Sequence, residues 1–243
     1  MKKTLVIIPT YNEIENISSI CNAVLLLNDD VHLLVVDDNS PDGTSNEVKQ
    51  IQKNFDNRLH LEIRKNKAGL GTAYIHGFKW ALKREYDFIF EMDADFSHNP
   101  ADLPILYEAC ATHGADLAIG SRYVKGVNVV NWPMSRILLS YFASKYVRFI
   151  TGMDIHDTTA GFKCYKSSLL RKINLDKIKF VGYAFQIELK FKAYLLKAKI
   201  VEIPVIFTDR SKGESKMSKG IISEAIIGVI AMKIKSVLGK LEI

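Results

Sequence analysis

Apolar runs alternate with amphipathic stretches through the first half of the chain. Short continuous runs of Val, Leu, Ile and Phe predict buried strands at Leu5–Ile8, Leu33–Val36, Leu59–Arg64, Phe88–Met92 and Leu117–Gly120. The apolar positions between them have helical spacing, at Ile14–Leu27, from Gly43 to about Asn54, at Gly71–Arg84 and at Ala101–Gly114. Continuous apolar strands separated by helices predict an α/β fold with a mostly parallel, two-sided central sheet.

The pattern changes after Ser121. Trp132–Thr151 is a predicted helix in which polar side chains four residues apart share one stripe and apolar side chains cover the rest. The stripe consists of Arg136, Ser140, Ser144 and Arg148. Such a helix is typical of a membrane surface, and equally of a core helix with one wet face. A second apolar stretch, Gly220–Leu238, contains Lys233 and Lys235, and it too can be interfacial or packed on the domain.

These patterns predict one catalytic domain over residues 1–220, with an interfacial helix at 131–151, and a C-terminal amphipathic helix at 221–243. We find no run of about 18 uncharged apolar residues of the kind that crosses a membrane. The net charge of +6 favours an anionic partner such as a nucleotide or a phosphorylated lipid. The cysteines Cys21, Cys110 and Cys164 are far apart and favour a reducing compartment.

Carboxylates follow the predicted strands, where ligands of parallel sheets bind. Asp93 and Asp95 come at the end of the Phe88–Met92 strand, and alternating strand geometry predicts that both point the same way. Paired carboxylates suit a hard divalent cation, Mg²⁺ or Mn²⁺, that can hold a diphosphate. The pattern D-x-D is short and common, so solvated loop aspartates are an equal alternative at this point.

The turns after the first two predicted strands lie at the same sheet edge. They carry Pro9-Thr10-Tyr11-Asn12-Glu13 and Asp37-Asp38-Asn39-Ser40-Pro41-Asp42-Gly43. An aromatic ring with carboxylates can hold a base and a ribose, while Asn39–Gly43 also has the composition of a plain turn with Gly43 at positive φ. Further along, Arg122, Arg136 and the basic loop 209–216 offer cations for phosphate groups, although a solvated loop has the same composition.

Taken together, these segments resemble the polyprenol (dolichol) phosphate mannosyltransferases, inverting glycosyltransferases of GT-A fold. The resemblance covers nearly the whole chain. It rests on P-T-Y-N-E at 9–13, V-V-D-D-N-S-P-D-G-T at 35–44, D-A-D-F-S-H-N-P at 93–100, G-S-R-Y-V at 120–124, N-W-P-M-S-R at 131–136, D-T-T-A-G-F-K at 157–163, G-Y-A-F-Q-I-E at 182–188 and D-R-S-K-G-E-S-K at 209–216.

The resemblance implies a role for individual residues. The nucleotide-sugar would be bound by Pro9, Tyr11, Glu13, Asp37, Asp38, Asp93, Arg210 and Lys216. The divalent cation would be held by Asp93, Asp95 and Ser97, where Ser97 stands at a position that is Gln in some relatives. The acceptor phosphate would be bound by Arg122, Arg136 and Ser140. Asp95, Arg122 and Arg136 would carry the catalysis.

The activity implied is metal-dependent transfer of mannose from GDP-mannose to a polyprenyl phosphate, with inversion to a β-linked product. The enzyme would act as a peripheral protein on the cytoplasmic face of a membrane, with a small membrane-anchor protein as a further partner. A polyprenyl-phosphate glucosyltransferase using UDP-glucose is the main alternative, and a non-catalytic membrane-surface binder is another. Dispersed cations without a known motif argue against nucleic acid. A Rossmann oxidoreductase would need G-x-G-x-x-G after the first strand, which is absent.

Overall fold

The computed structural model describes residues 2–55, 57–182, 184–210 and 220–243, with the backbone alone for 220–225. The strands are β1 (Thr4–Thr10), β2 (Val31–Asp37), β3 (Leu59–Ile63), β4 (Phe88–Glu91), β5 (Leu117–Ser121), β6 (Val129–Val130), β7 (Lys163–Lys166), β8 (Ile200–Pro204) and β9 (Phe207–Thr208). The helices are α1 (Ile14–Leu25), α2 (Thr44–Gln52), α3 (Leu70–Lys83), α4 (Leu103–Ala111), α5 (Met134–Thr151), α6 (Ser167–Leu170), α7 (Ala184–Leu195) and α8 (Gly220–Val237).

The central sheet of the described residues has the strand order β3-β2-β1-β4-β7-β5-β8. Strand β7 runs antiparallel to both β4 and β5, and all other neighbours in this sheet are parallel. The predicted α/β fold with a mostly parallel sheet is therefore confirmed. The pattern did not predict β7, because its sequence, K-C-Y-K, has no apolar run. Strands β6 and β9 form a separate small parallel pair.

The sheet is covered on both faces, which explains why its strands are continuously apolar. Alternate residues of β1 enter different apolar clusters: Leu5 and Ile7 join the cluster that includes Phe78 of α3, while Val6 and Ile8 join the cluster that includes Ile17 of α1. All six side chains are fully buried. The carboxyl ends of β1, β2 and β4 are thus held side by side on a rigid platform.

Helix α5 is oriented with its polar stripe toward the protein. Ser144 is buried, whereas Leu138, Phe142 and Phe149 on the apolar face are 47%, 59% and 87% exposed. The interpretation of this segment as a core helix with a wet polar face is therefore wrong, because the exposed face is the apolar one.

Helix α8 packs beside α5. The Tyr146 hydroxyl donates to the carbonyl of Ile226, and Lys233 donates to the carbonyl of Thr151. Val229 of α8 is buried, but Ile227 and other apolar side chains of this helix are exposed. Within the described ranges, no helix is long and apolar enough to cross a membrane.

Two local expectations have different outcomes. Gly43 has φ +93° and precedes α2, so the turn with a glycine at positive φ is confirmed. Strand β4 ends at Glu91, before Met92, and Phe96 has φ +60°. The strand argument that Asp93 and Asp95 point the same way is therefore wrong, because both lie in an irregular loop.

Candidate functional site

The end of β2 carries two adjacent carboxylates with different environments. Asp37 is fully buried and accepts hydrogen bonds from the hydroxyls of Thr10, Ser40 and Ser45 at 2.6–2.7 Å, so it organises the loops after β1 and β2. Asp38 pairs with Arg64, whose Nε lies 2.6 Å from Asp38 Oδ1.

The loop after β1 lies directly beside them. Pro9 and Tyr11 are partly exposed, and the Nζ of Lys67 lies 4.5 Å from the centroid of the Tyr11 ring. The backbone N–H of Glu13 donates to Thr44, and the Glu13 carboxylate accepts from the side chain of Asn16. These predicted nucleotide-binding residues form one edge at the carboxyl ends of β1 and β2.

The Asp93–Asp95 loop follows the neighbouring strand, β4. Asp93 is partly exposed, and its Oδ1 lies 3.4 Å from the Tyr74 hydroxyl. Burial and the negative charges of Asp95 and Glu91 raise the pKa of Asp93 to about 7. Burial also opposes the ionisation of Asp95, but hydrogen bonds from Ser97 and the charge of Arg210 outweigh it, so the pKa of Asp95 is lowered.

Arg210 joins this loop from the other end of the chain. Its Nη2 lies 3.0 Å from Asp95 Oδ2, while the Ser97 hydroxyl donates to Asp95 Oδ1 at 2.6 Å. The structure thus places Arg210 beside the Asp93–Asp95 loop. Lys216 lies outside the described residues.

Arg122 is a buried cation held in a fixed orientation. Its Nε and Nη2 bind the two carboxylate oxygens of Asp157 at 2.7 and 2.6 Å, and Nη2 also donates to Thr159 at 2.8 Å. Asp157 is fully buried, and its own backbone N–H donates to Glu202. Burial opposes ionisation of Asp157, but Arg122 outweighs this and lowers its pKa.

Arg136 lies near the start of α5. Its guanidinium is 4.0 Å from the centroid of the Trp132 ring and donates to Asp209 at 2.8 Å. The Arg122 guanidinium lies 5.4 Å from the same ring. Both guanidinium groups therefore lie near the Trp132 ring, and their positive charges are in the same part of the site.

A cavity of about 390 Å³ joins these groups to an apolar wall. Its polar end includes Asp93, His98, Arg122, Arg136 and Ser140. Its apolar wall comes from α5, α7 and α8: Leu139, Phe142, Ala143, Tyr146, Val147, Ile187 and Ile226. Pro9, Tyr11, Glu13, Asp37 and Asp38 do not line it and lie at the adjacent strand ends. The arrangement can hold an anion beside an apolar chain, with a nucleotide at the neighbouring edge.

The family of the chain is shown by a family model that matches most of its length. The model of glycosyl transferase family 2 matches residues 5–174, which run from β1 through the Asp93–Asp95 loop and both arginines. The chain belongs to glycosyl transferase family 2. As a member of that family it is a glycosyltransferase, and the predicted enzyme class is confirmed.

Two characterised relatives in this family are similar over nearly their whole length. The chain is 47% identical over 239 residues to the polyprenol monophosphomannose synthase of Mycolicibacterium smegmatis, covering 98% of this chain and 90% of that protein. It is 46% identical over 227 residues to the undecaprenyl-phosphate mannosyltransferase of Micrococcus luteus, covering 93% and 92%. The resemblance predicted from the motifs is therefore confirmed.

Solved structures show the family 2 fold. The glucosyl-3-phosphoglycerate synthase of Mycobacterium tuberculosis, solved with Mn²⁺, UDP-glucose and phosphoglyceric acid, matches with a TM-score of 0.71 at 18% identity. The match covers 96% of this chain and 79% of that chain. The similarity confirms the GT-A architecture.

Several residues of this glycosyltransferase site carry no role in the sequence analysis. His98, Trp132, Asp157, Thr159 and Asp209 contact the predicted residues or line the cavity. The motifs at 93–100, 131–136 and 157–163 contain most of them, so the signal was present. Their partners were not evident, because the pairing of Arg122 with Asp157 depends on strand β7, which the pattern did not predict.

Proposed function

We propose that this glycosyltransferase moves mannose from GDP-mannose to a polyprenyl phosphate, with inversion to a β-linked product. The observation that carries the proposal is the cavity in which Arg122, Arg136 and Ser140 adjoin an apolar wall. An acceptor with a phosphate head and an isoprenoid tail fits both parts. The names of the two relatives described above support the same substrate class.

The carboxylate loop fits a divalent cation. Asp93 and Asp95 supply hard oxygen ligands. Burial, followed by repulsion from Asp95 and Glu91, raises the pKa of Asp93, so a cation would stabilise its charged form. Ser97 would add its hydroxyl oxygen. Within the described residues, no third His, Cys, Asp or Glu completes a metal cluster, so substrate diphosphate and water would supply the remaining ligands. Bound Mg²⁺ or Mn²⁺ would neutralise charge on the leaving nucleoside diphosphate.

The chain's own residues would then handle two anions. Arg122 and Arg136 would bring the acceptor phosphate to the sugar and offset its charge. Arg210, already at Asp95, would contact the donor diphosphate, and we propose the same role for Lys216. A phosphate monoester is anionic near neutral pH, so its oxygen needs no general base. We therefore assign none, and Asp95 acts as a metal ligand.

The nucleotide would bind at the edge formed by Pro9, Tyr11, Glu13, Asp37 and Asp38. Tyr11 would contact the base, and the carboxylates would accept hydrogen bonds from base or ribose. The carboxylate of Asp37 already accepts hydrogen bonds from three hydroxyl groups of the protein. Asp37 would therefore support nucleotide binding by holding the loops after β1 and β2 in place. The edge is contiguous with the Asp93–Asp95 loop, as a nucleoside diphosphate requires.

The exposed apolar face of α5 supports a location at the membrane surface. Leu138, Phe142 and Phe149 would enter the bilayer interface, while Arg136 and Ser140 on the opposite stripe face the cavity. We propose that residues 1–220 form the catalytic domain and 221–243 a second interfacial helix. The protein would act on the cytoplasmic face, and a small membrane-anchor protein would be a compatible partner.

The deciding experiment is transfer of radiolabelled mannose from GDP-mannose to a short polyprenyl phosphate in detergent, with Mg²⁺, Mn²⁺ or EDTA. UDP-glucose is the parallel donor. The control is Asp95→Asn, which keeps the shape but removes the metal-binding charge. We expect a mild-acid-labile lipid product from GDP-mannose that needs the metal and falls at least about 100-fold in the variant.

The other outcomes are equally informative. Product from UDP-glucose alone would replace the donor and keep the reaction. No product from either donor, with folded protein and metal present, would contradict the proposed activity. Metal-dependent nucleotide binding without turnover would then favour a binding protein.

A further inference from the structure

His98 is a buried ring with one nitrogen engaged by the backbone. It is 4% exposed, and its Nδ1 accepts a hydrogen bond from the backbone N–H of Asp93 at 3.1 Å. A ring nitrogen that accepts carries no hydrogen, so the neutral ring keeps its hydrogen on Nε2. Within the described ranges, Nε2 has no hydrogen-bond partner. His98 lines the cavity, so a ligand in the cavity can reach this unpaired donor.

Two aromatic rings fix the direction of that donor. Phe162 stacks on the His98 ring at 5.0 Å between centroids and 13° between planes, and Phe207 packs edge-on at 5.3 Å. The ring cannot turn about its own axis without losing both packing contacts and the Asp93 hydrogen bond. The Nε2 donor is therefore preorganised before any ligand arrives.

The open space beside His98 is preserved by Gly161. A methyl group added at Gly161 would lie 3.6 Å from His98 Cε1 and 3.7 Å from Gln186 Nε2, with no other described atom within 4 Å apart from its chain neighbours. Cε1 is bonded to Nε2, so the same edge of the ring borders this space. All three residues line the cavity.

Gln186 forms a rigid wall opposite His98. It is 2% exposed, and its Nε2 donates to Glu91 at 2.8 Å while its Oε1 accepts from Lys163. Glu91 and Lys163 are fully buried and pair at 3.0 Å. The gap above Gly161 thus has two fixed, neutral polar walls, and Asp93 lines the same cavity.

We infer that His98 and Gly161 form the subsite for the donor's hexose, with His98 Nε2–H donating to a sugar hydroxyl. The inference rests on the proposed function and names the residues of that site that would recognise the sugar. A sugar hydroxyl can accept a hydrogen bond from this fixed donor. The gap between His98 and Gln186 offers neutral polar groups and suits a hydroxyl, whereas Arg122 and Arg136 of the same cavity offer the positive charge that a phosphate requires.

Two amide variants separate ligand binding from a structural role. His98→Asn places an amide group where Nδ1 stands, so it keeps the acceptor for Asp93 and loses the Nε2 donor. His98→Gln reaches the Nε2 position with a donor and loses the Nδ1 acceptor. Each protein is tested by calorimetry with GDP and with GDP-mannose in the presence of Mn²⁺, and by KM values for donor and acceptor.

We expect His98→Asn to raise the Kd and KM for GDP-mannose about ten-fold, the value of one buried hydrogen bond, and to leave the Kd for GDP unchanged. His98→Gln should retain more sugar affinity. A purely structural role would give the opposite order and weaken GDP as well. An unchanged GDP-mannose KM in His98→Asn, or a rise confined to the acceptor KM, would overturn the inference.

Gly161→Ala provides an independent steric test. The added methyl occupies the sugar space without a clash, so the variant should fold and bind GDP normally but lose at least about ten-fold in GDP-mannose affinity. Normal GDP-mannose affinity would contradict the subsite. A wild type that neither binds nor transfers a nucleotide-sugar would refute the proposed function itself, which distinguishes the two failures. If UDP-glucose is the donor, the comparison becomes UDP against UDP-glucose.

Discussion

The Arg122 side chain is held in position by an ion pair within the protein, without help from a ligand. Arg122 and Asp157 are both buried and bind each other through two parallel hydrogen bonds. Such a pair is costly to break, because removing one partner leaves an uncompensated charge away from water. The same geometry keeps the guanidinium at the cavity in the absence of substrate. Asp157 is thus a positioning residue that acts through Arg122.

Replacement of Asp157 tests this at the level of one side chain. Asp157→Asn should lower the free energy of unfolding by about 3 kcal/mol, measured by urea denaturation. Asp154→Asn is the matched control, because the Arg148–Asp154 pair is exposed and should contribute less than about 1 kcal/mol. Equal effects of the two variants would contradict the burial argument. The acceptor KM of Asp157→Asn should rise more than its donor KM.

At the level of elements, α5 departs from the pattern of a soluble amphipathic helix. Its polar stripe faces the cavity and the domain, whereas the apolar side chains of Leu138, Phe142 and Phe149 are exposed. The periodicity of residues 132–151 revealed two faces but did not show which one is covered. That assignment depends on what packs against the helix, here α8 and the wall of the cavity.

Membrane attachment is the property that α5 should control. Leu138→Gln with Phe149→Gln should reduce the bound fraction on phosphatidylglycerol–phosphatidylcholine vesicles about ten-fold or more, since each exposed side chain would contribute apolar burial in the bilayer. Unfolding free energy should change by less than about 0.5 kcal/mol per substitution. Leu26→Gln, which alters a residue that is 73% exposed after α1, is the control and should bind vesicles as the wild type does. Equal loss in all variants would contradict a specific face.

The pattern of apolar residues predicts some elements of the fold and not others. Strands β1 to β5 and helices α1 to α5 follow from apolar runs and spacing, since each buries its own continuous or striped face. Strands β7 and β8 do not, because Lys163 and Glu202 stand within them and are stabilised by distant partners such as Glu91 and His156. Resemblance supplied the candidate ligand-binding residues, while the residues that support them emerged only from the fold.

For the whole molecule, stability should depend on pH through the end of the sheet opposite the site. His32 near the start of β2 and His60 near the start of β3 share the Tyr86 hydroxyl, at 2.8 and 3.4 Å. Burial, followed by the positive charges of His32, Arg84 and Lys3, lowers the pKa of His60 from 6.5 to about 4. Burial and nearby cations lower the pKa of His32 as well.

The direction of this pH dependence follows from the number of protons that the folded and unfolded states bind. Between pH 6.5 and about 4, unfolded His60 binds a proton that the folded protein excludes, so the free energy of unfolding should fall as the pH falls through this range. Above pH 6.5 both states are neutral and the contribution is constant. His60→Gln should flatten the profile in urea titrations at pH 4.5, 5.5 and 7. An unchanged slope in this variant would contradict the role of His60.

The central place of β7 has a consequence for synthesis. This strand fills the gap between β4 and β5, yet it is made long after both, and β8 covers the outer edge of β5 later still. A growing chain that has reached only residue 160 holds β4 and β5 with unpaired edges, which are templates for wrong association. Completion of the sheet that supports the Arg122 site therefore comes late in the synthesis of each chain.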